Sequence, residues 1–91
     1  MEKVIYPTLN LRATGERIMA LRKERGITVR QLSNFMGFHE PKAVYKWQKG
    51  ECLPTVDNLY AMSKLFGVSI EEILVDNGES SSKEDHVLYA A

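Results

Sequence analysis

Lys42-Ala43-Val44-Tyr45-Lys46-Trp47-Gln48-Lys49-Gly50 is the stretch on which the reading of this chain turns. Each residue of an α-helix advances about 100° around the axis, so side chains three and four apart share a face. On that period Val44 and Trp47 lie about 60° apart and form one narrow apolar stripe. Lys42, Lys46 and Lys49 gather within a similar arc on the opposite side, with Tyr45 at its edge. Such a helix is anchored by one face and offers a row of ammonium groups on the other. That arrangement suits a DNA groove. A merely solvated charged face is the alternative, and the surroundings decide between them.

Outward from this segment the pattern is one short helix after another, each followed by a stop signal. Toward the N-terminus, Thr14 is expected to cap a first helix running to about Arg25, with Ile18 and Leu21 inward and Gly26 ending it. Thr28-Val29-Arg30-Gln31 fits a capping box, because a Gln three residues after the cap can return a hydrogen bond to it. A second helix follows with Leu32, Phe35 and Met36 inward and Gly37 at its end. Phe38-His39-Glu40 makes the turn, and Pro41 opens the third helix at the position that tolerates proline best. After Gly50, Glu51-Cys52-Leu53-Pro54 connects to a fourth helix capped by Thr55, with Leu59, Met62 and Phe66 inward and Gly67 closing it. Ser69-Ile70-Glu71-Glu72 is a second capping box, opening a fifth helix that buries Ile70, Ile73 and Leu74. Helices this short are unstable alone, so the five must share one core. The expected class is all-α.

Composition sets the outer limits. Ninety-one residues with 44% apolar side chains make one modest core. No apolar run approaches the length of a membrane span, and the first residues lack the apolar stretch of a secretory signal. Cys52 is the sole cysteine and reads as a small apolar filler. A cytoplasmic protein, concentrated on the nucleoid through DNA, is the expectation. Net charge is zero but polarised: residues 1–50 hold ten Lys/Arg against four Asp/Glu, and residues 51–91 hold two against eight. Basic and acidic halves of +6 and −6 allow one surface to meet phosphates and another to face away.

The ends differ from the middle. Residues 76–85 are small, polar and acidic, and read as a flexible tail. Lys3-Val4-Ile5-Tyr6 and Val87-Leu88-Tyr89 are β-prone, so the ends are expected either to be flexible or to pair as short strands. The division is an N-terminal arm at 1–12, a helical domain at 13–75 and a C-terminal tail at 76–91.

With the helices placed, residues 14–75 resemble the Xre/Cro family of helix-turn-helix DNA-binding domains, the five-helix bundle of lambda-repressor type. The resemblance rests on Arg17-Ile18, Leu21-Arg22-Lys23-Glu24-Arg25-Gly26-Ile27-Thr28, Leu32 and Gly37. It continues through Val44, Trp47, Lys49, Gly50 and Pro54 to Leu59, Leu65-Phe66-Gly67-Val68-Ser69 and Glu72-Ile73-Leu74. Three features depart from the commonest pattern. The turn from Gly37 to Val44 is one residue longer and contains Pro41 where many relatives have a polar side chain. Val29 stands where a glutamine is frequent. Gln48 replaces a frequent glutamate that pairs with the first-helix arginine, here Arg22.

The resemblance implies sequence-specific binding of double-stranded DNA by a small bacterial or phage-like transcriptional regulator, a repressor, with a recognition helix at about 41–49 in the major groove. Base contacts are expected from Pro41, Lys42, Tyr45 and Lys46, since a lysine donates to guanine O6 and N7 and an apolar group meets a thymine methyl. Backbone contacts fall to Thr28, Arg30, His39 and Lys49. Arg22, Val44, Trp47 and Gln48 support the helix from behind. One small domain makes few base contacts, so a homodimer on a palindromic operator, its half-sites about 34 Å apart, is expected. Helix 5 and the tail patch are the expected pairing surfaces. The rival function is an antitoxin or other module that binds a protein partner through its C-terminal region. No catalytic set, metal-ligand cluster or phosphate-binding glycine loop can be assembled, so neither enzyme activity nor a cofactor or metal is expected.

Overall fold

The computed structural model describes residues 2–78 and 87–90, with side chains described for residues 6–78. Five helices form the body: α1 (Leu11–Glu24), α2 (Val29–Phe35), α3 (Lys42–Gln48), α4 (Val56–Phe66) and α5 (Ile70–Ile73). Strands β1 (Glu2–Ile5) and β2 (Val87–Ala90) pair antiparallel outside it, Glu2 opposite Ala90 and Ile5 opposite Val87. The body is thus the all-α bundle that the stop signals implied. Each helix contributes to one core: Ile18 and Leu21, Leu32, Val44 and Trp47, Leu59, Met62 and Phe66, and Ile73. Both capping boxes form, at Thr28 with Gln31 and at Ser69 with Glu72. Gly26, Gly37, Gly50 and Gly67 all take positive φ at the helix exits.

The helix starts and one inner face differ from the expectation. Thr14 does not cap α1. Asn10 does, accepting from the Ala13 N–H at 2.9 Å, so the helix begins a turn earlier. Thr14 is instead buried, and its hydroxyl accepts from the Val75 N–H at 2.9 Å, tying α1 to the exit of α5. Pro41 lies one position before the expected one, since its carbonyl accepts the first α3 bond from the Tyr45 N–H. Thr55 precedes α4, but its hydroxyl turns to the Asp57 carboxylate rather than to a helix N–H. That bond, with the Asn58 N–H, holds the Asp57 carboxyl below its usual range.

Phe35 is half exposed rather than inward. Leu32, Met36, Val29 and Ser33 follow one another around α2, so the buried arc is centred between Met36 and Val29 and reaches Ser33, which is 2% exposed. Phe35 falls about 110° from that arc's middle. Cys52 is exposed, so it fills no gap. In α5 only Ile73 is fully buried, Ile70 and Leu74 packing half-exposed against the core.

The two ends leave the body together. The Asn10 N–H donates to the Val75 carbonyl at 2.8 Å and the Asn77 N–H to the Thr8 carbonyl at 3.0 Å, with Leu9 and Asp76 bridged between them. The Asn77 side chain also donates to Thr8 Oγ1 at 2.8 Å. β1 and β2 continue this antiparallel path. Of the tail expected to be flexible over residues 76–85, Asp76 and Asn77 are instead held against Leu9 and Thr8, and the stretch from residue 79 on, with His86, lies outside the described residues.

Candidate nucleic-acid interface

α3 is only seven residues long, too short to hold its shape without neighbours. Three contacts fix it. The first is a backbone approach to α1 at Gly15, where a Cβ would come within 2.7 Å of the Gln48 carbonyl oxygen and nearer still to that of Trp47. Only a residue without a side chain fits there. The second is Arg22, 9% exposed, whose Nε donates to Gln48 Oε1 at 2.9 Å and whose Nη1 donates to the Ile27 carbonyl at 2.8 Å. One guanidinium therefore joins α1, the loop before α2 and the end of α3. The third is Trp47 itself, buried, with the Phe38 ring edge-on at 5.9 Å between centroids. At the exit, Gly50 takes φ +77°, and a Cβ there would press on Arg12 Cα at 2.7 Å.

With Val44 and Trp47 held inside, the opposite face of α3 must look outward. Lys42, Tyr45, Lys46 and Lys49 are all exposed, and among the described residues none of the three ammonium groups has an ion-pair partner. Pro41 is half buried at the helix start. His39 is exposed in the preceding turn. Arg30 is exposed in the first turn of α2. Thr28 is exposed as well, but its N–H is taken by Gln31 Oε1 and its hydroxyl accepts from the Gln31 N–H. Only the hydroxyl proton of Thr28 is left for an incoming acceptor.

The basic half of the chain is less uniform than its charge count. Arg17 Nε donates to the Glu72 carbonyl at 2.7 Å, and Arg25 Nε to the Phe66 carbonyl at 2.5 Å while its guanidinium lies 5.8 Å from the Phe66 ring centre. Arg17 and Arg25 are thus spent on backbone carbonyls near helix ends, and Arg22 on the Gln48 side chain and the Ile27 carbonyl in the loop before α2. The Arg12–Glu16 pair, 3.9 Å apart and exposed, adds little in water. The outward cations on the α2–α3 side are Arg30, Lys42, Lys46 and Lys49.

Sequence reasoning did not single out Gly15, Phe38, Arg17 or Arg25 for these roles. A glycine in mid-helix was the available signal for the first, because it costs helix stability unless something must come close. Among the described residues no cluster of His, Cys, Asp or Glu is grouped to hold a metal, and no helix is long and apolar enough to cross a membrane.

The helix-turn-helix family model matches residues 18–73. Among curated proteins the chain is 32% identical over 60 residues to the HTH-type transcriptional activator BcrR of Enterococcus faecalis, a match covering 66% of this chain and 29% of BcrR. Solved structures with the same fold include the restriction-modification controller protein C.AhdI of Aeromonas hydrophila, with a TM-score of 0.62 at 19% identity over 69% of this chain and 94% of that one. A transcriptional regulator from Listeria innocua superposes with a TM-score of 0.62 at 24% identity, covering 67% of this chain and 56% of its own. The DNA-binding domain of BldD gives 0.60 at 20% identity, over 71% of this chain and 93% of that domain.

Proposed function

Because the chain belongs to the Xre/Cro-type helix-turn-helix family of DNA-binding transcription regulators, we propose that it reads a specific duplex sequence by laying α3 in the major groove. The observation that carries this is the outward face of α3: Lys42, Tyr45, Lys46 and Lys49 exposed on a helix locked from behind by Val44, Trp47 and the Arg22–Gln48 bond. Lys42 and Lys46 stand one turn apart and reach base edges; Tyr45 and Pro41 supply apolar contact. Arg30 and Lys49, with the Thr28 hydroxyl and His39, meet phosphates and set the register.

The proposal extends to a homodimer on a two-fold symmetric operator, which doubles the few base contacts one α3 can make. Occupancy across a promoter would exclude polymerase without any further contact, so repression is the expected sign in a reporter assay, in contrast to BcrR, which is named an activator. Binding alone accounts for the role, and we assign the chain no catalysis. A cytoplasmic location on the nucleoid follows from such a role.

The test is selection from a random-sequence duplex library, followed by measurement of the complex's mass on the best site. A consensus with two-fold symmetry, bound by two chains, is the expected result. Recovery of sequences no better bound than the starting pool would overturn the proposal.

A further inference from the structure

Among the described residues β1 and β2 make a sheet of two strands, so each strand keeps one edge of backbone N–H and carbonyl groups with no strand beside it. The molecule spans 47 × 23 × 21 Å with a radius of gyration of 15.1 Å, against about 12 Å for a compact chain of this length. A ribbon paired outside the helical body gives it that reach. Two strands alone are marginal in water, whereas a sheet of three or more with an apolar face holds by itself.

The two edges are not alike. Folded proteins guard a free edge with charge, proline or a bulge, because a bare one pairs with another chain. β1 carries Glu2 and Lys3, and Pro7 follows it closely. β2 is Val87-Leu88-Tyr89-Ala90, with no charge, no proline and no glycine.

We propose that β2 pairs edge to edge and antiparallel with β2 of a second copy, joining two ribbons into one sheet of order β1-β2-β2-β1. The inference rests on the homodimer proposed above and names the surface that makes it. Antiparallel pairing of identical strands is two-fold, the symmetry of a palindromic operator. In such an interface a residue at the axis meets its own copy, so a charge there meets its like. β2 brings none. A rival surface is the groove beside α5, with Pro7, Leu9 and Leu74 as its apolar lining. Glu71 and Asp76 complete that lining, so two copies meeting there would oppose four carboxylates with no lining cation to offset them.

Sedimentation of the full chain over a range of concentrations, free and on its selected duplex, reads the assembly. The wild-type chain should reach dimer mass. Leu88→Lys replaces an apolar residue of each β2 by a charge, and should weaken the dimer by at least about tenfold while the helical circular dichroism holds. A second measurement leaves the edge uncharged. Val87, Leu88 and Tyr89 are replaced by cysteine one at a time in a Cys52→Ser background, since Cys52 is exposed, and a short bis-maleimide is added. The position at the axis should cross-link two copies, and Glu71→Cys on α5 should not.

A dimer untouched by Leu88→Lys would overturn the edge and leave the homodimer standing. So would cross-linking through Glu71→Cys and at none of the β2 positions. If Leu88→Lys also loses helical signal, the cross-links decide alone. A single chain at every concentration and on the duplex would overturn this inference and the homodimer together, and leave the reading of DNA by α3 in place.

Discussion

Lys42 and Lys49 sit two turns apart on one exposed face, yet the account gives them different work, and substitution separates the two. Lys42→Ala should relax base preference at one position per half-site by about 1–3 kcal/mol. Lys49→Ala should weaken binding to all sequences alike and lower the slope of log K against log[salt] by about 0.9, the increment for one phosphate contact. Binding titrations on selected and scrambled duplexes between low and physiological salt read both effects. Behind the face, Trp47 is 4% exposed, so Trp47→Ala should cost about 3–5 kcal/mol in denaturant unfolding. Gln48→Ala should cost about 1.5–3 kcal/mol, because it removes an acceptor from a charged and largely buried guanidinium. The Arg22–Gln48 contact was open to sequence reading, since a helix-1 arginine facing the end of helix 3 needs an acceptor there. The arginines at 17 and 25 were not, because nothing in a local pattern tells which backbone carbonyl a long side chain will reach across the fold.

α1 and α3 meet through backbone rather than side chains, and Gly15 is where they touch. Gly15→Ala gains helix propensity for α1, which alone favours it by up to about 1 kcal/mol. The added carbon meets the Trp47 and Gln48 carbonyls, which are fixed backbone and cannot swing away. Overpacking of this kind costs about 3 kcal/mol, so the substitution should lower the thermal midpoint despite its favourable propensity. In α2, Ser33 is 2% exposed and its hydroxyl has no hydrogen-bond partner among the described residues. Ser33→Ala should therefore stabilise the protein by about 1 kcal/mol in denaturant melts. The helices themselves were legible because Gly exits and S/T-x-x-E/Q boxes are local signals that the fold obeys at Gly26, Thr28, Gly67 and Ser69. The starts of α1 and α4 were less so. Thr14 and Thr55 each look like a cap locally, but Val75 and Asp57 compete for their hydroxyls, and one of those partners is 61 residues away. Phe35 was misplaced for a related reason: two helical faces share Leu32, and only packing on the common core chooses the one through Ser33.

On the scale of the whole molecule, the chain closes on itself at its ends while α3 and the start of α2 carry the exposed cations Arg30, Lys42, Lys46 and Lys49. The pairing of residues 8–10 with 75–77 makes the start of α1 and the exit of α5 one unit, and two strands alone would be marginal without it. Amide exchange at Asn10 and Asn77 should accordingly be slower than in an unstructured peptide, since both N–H groups are donated to carbonyls across the pair. Peptide-like rates at both would contradict the closure. Charge polarity along the chain pointed to a basic side, but three of its arginines serve the body, so the side is narrower than the count suggested. The central claim is that this narrow side, α3 with the start of α2, is where duplex DNA lies. Titration of isotope-labelled protein with its selected duplex, followed by amide chemical shifts, tests it most directly. The account predicts shifts concentrated at residues 28–31 and 39–50, with α5 and the C-terminal half of α4 little moved. Shifts centred on α5 or the paired ends, with α3 silent, would contradict it.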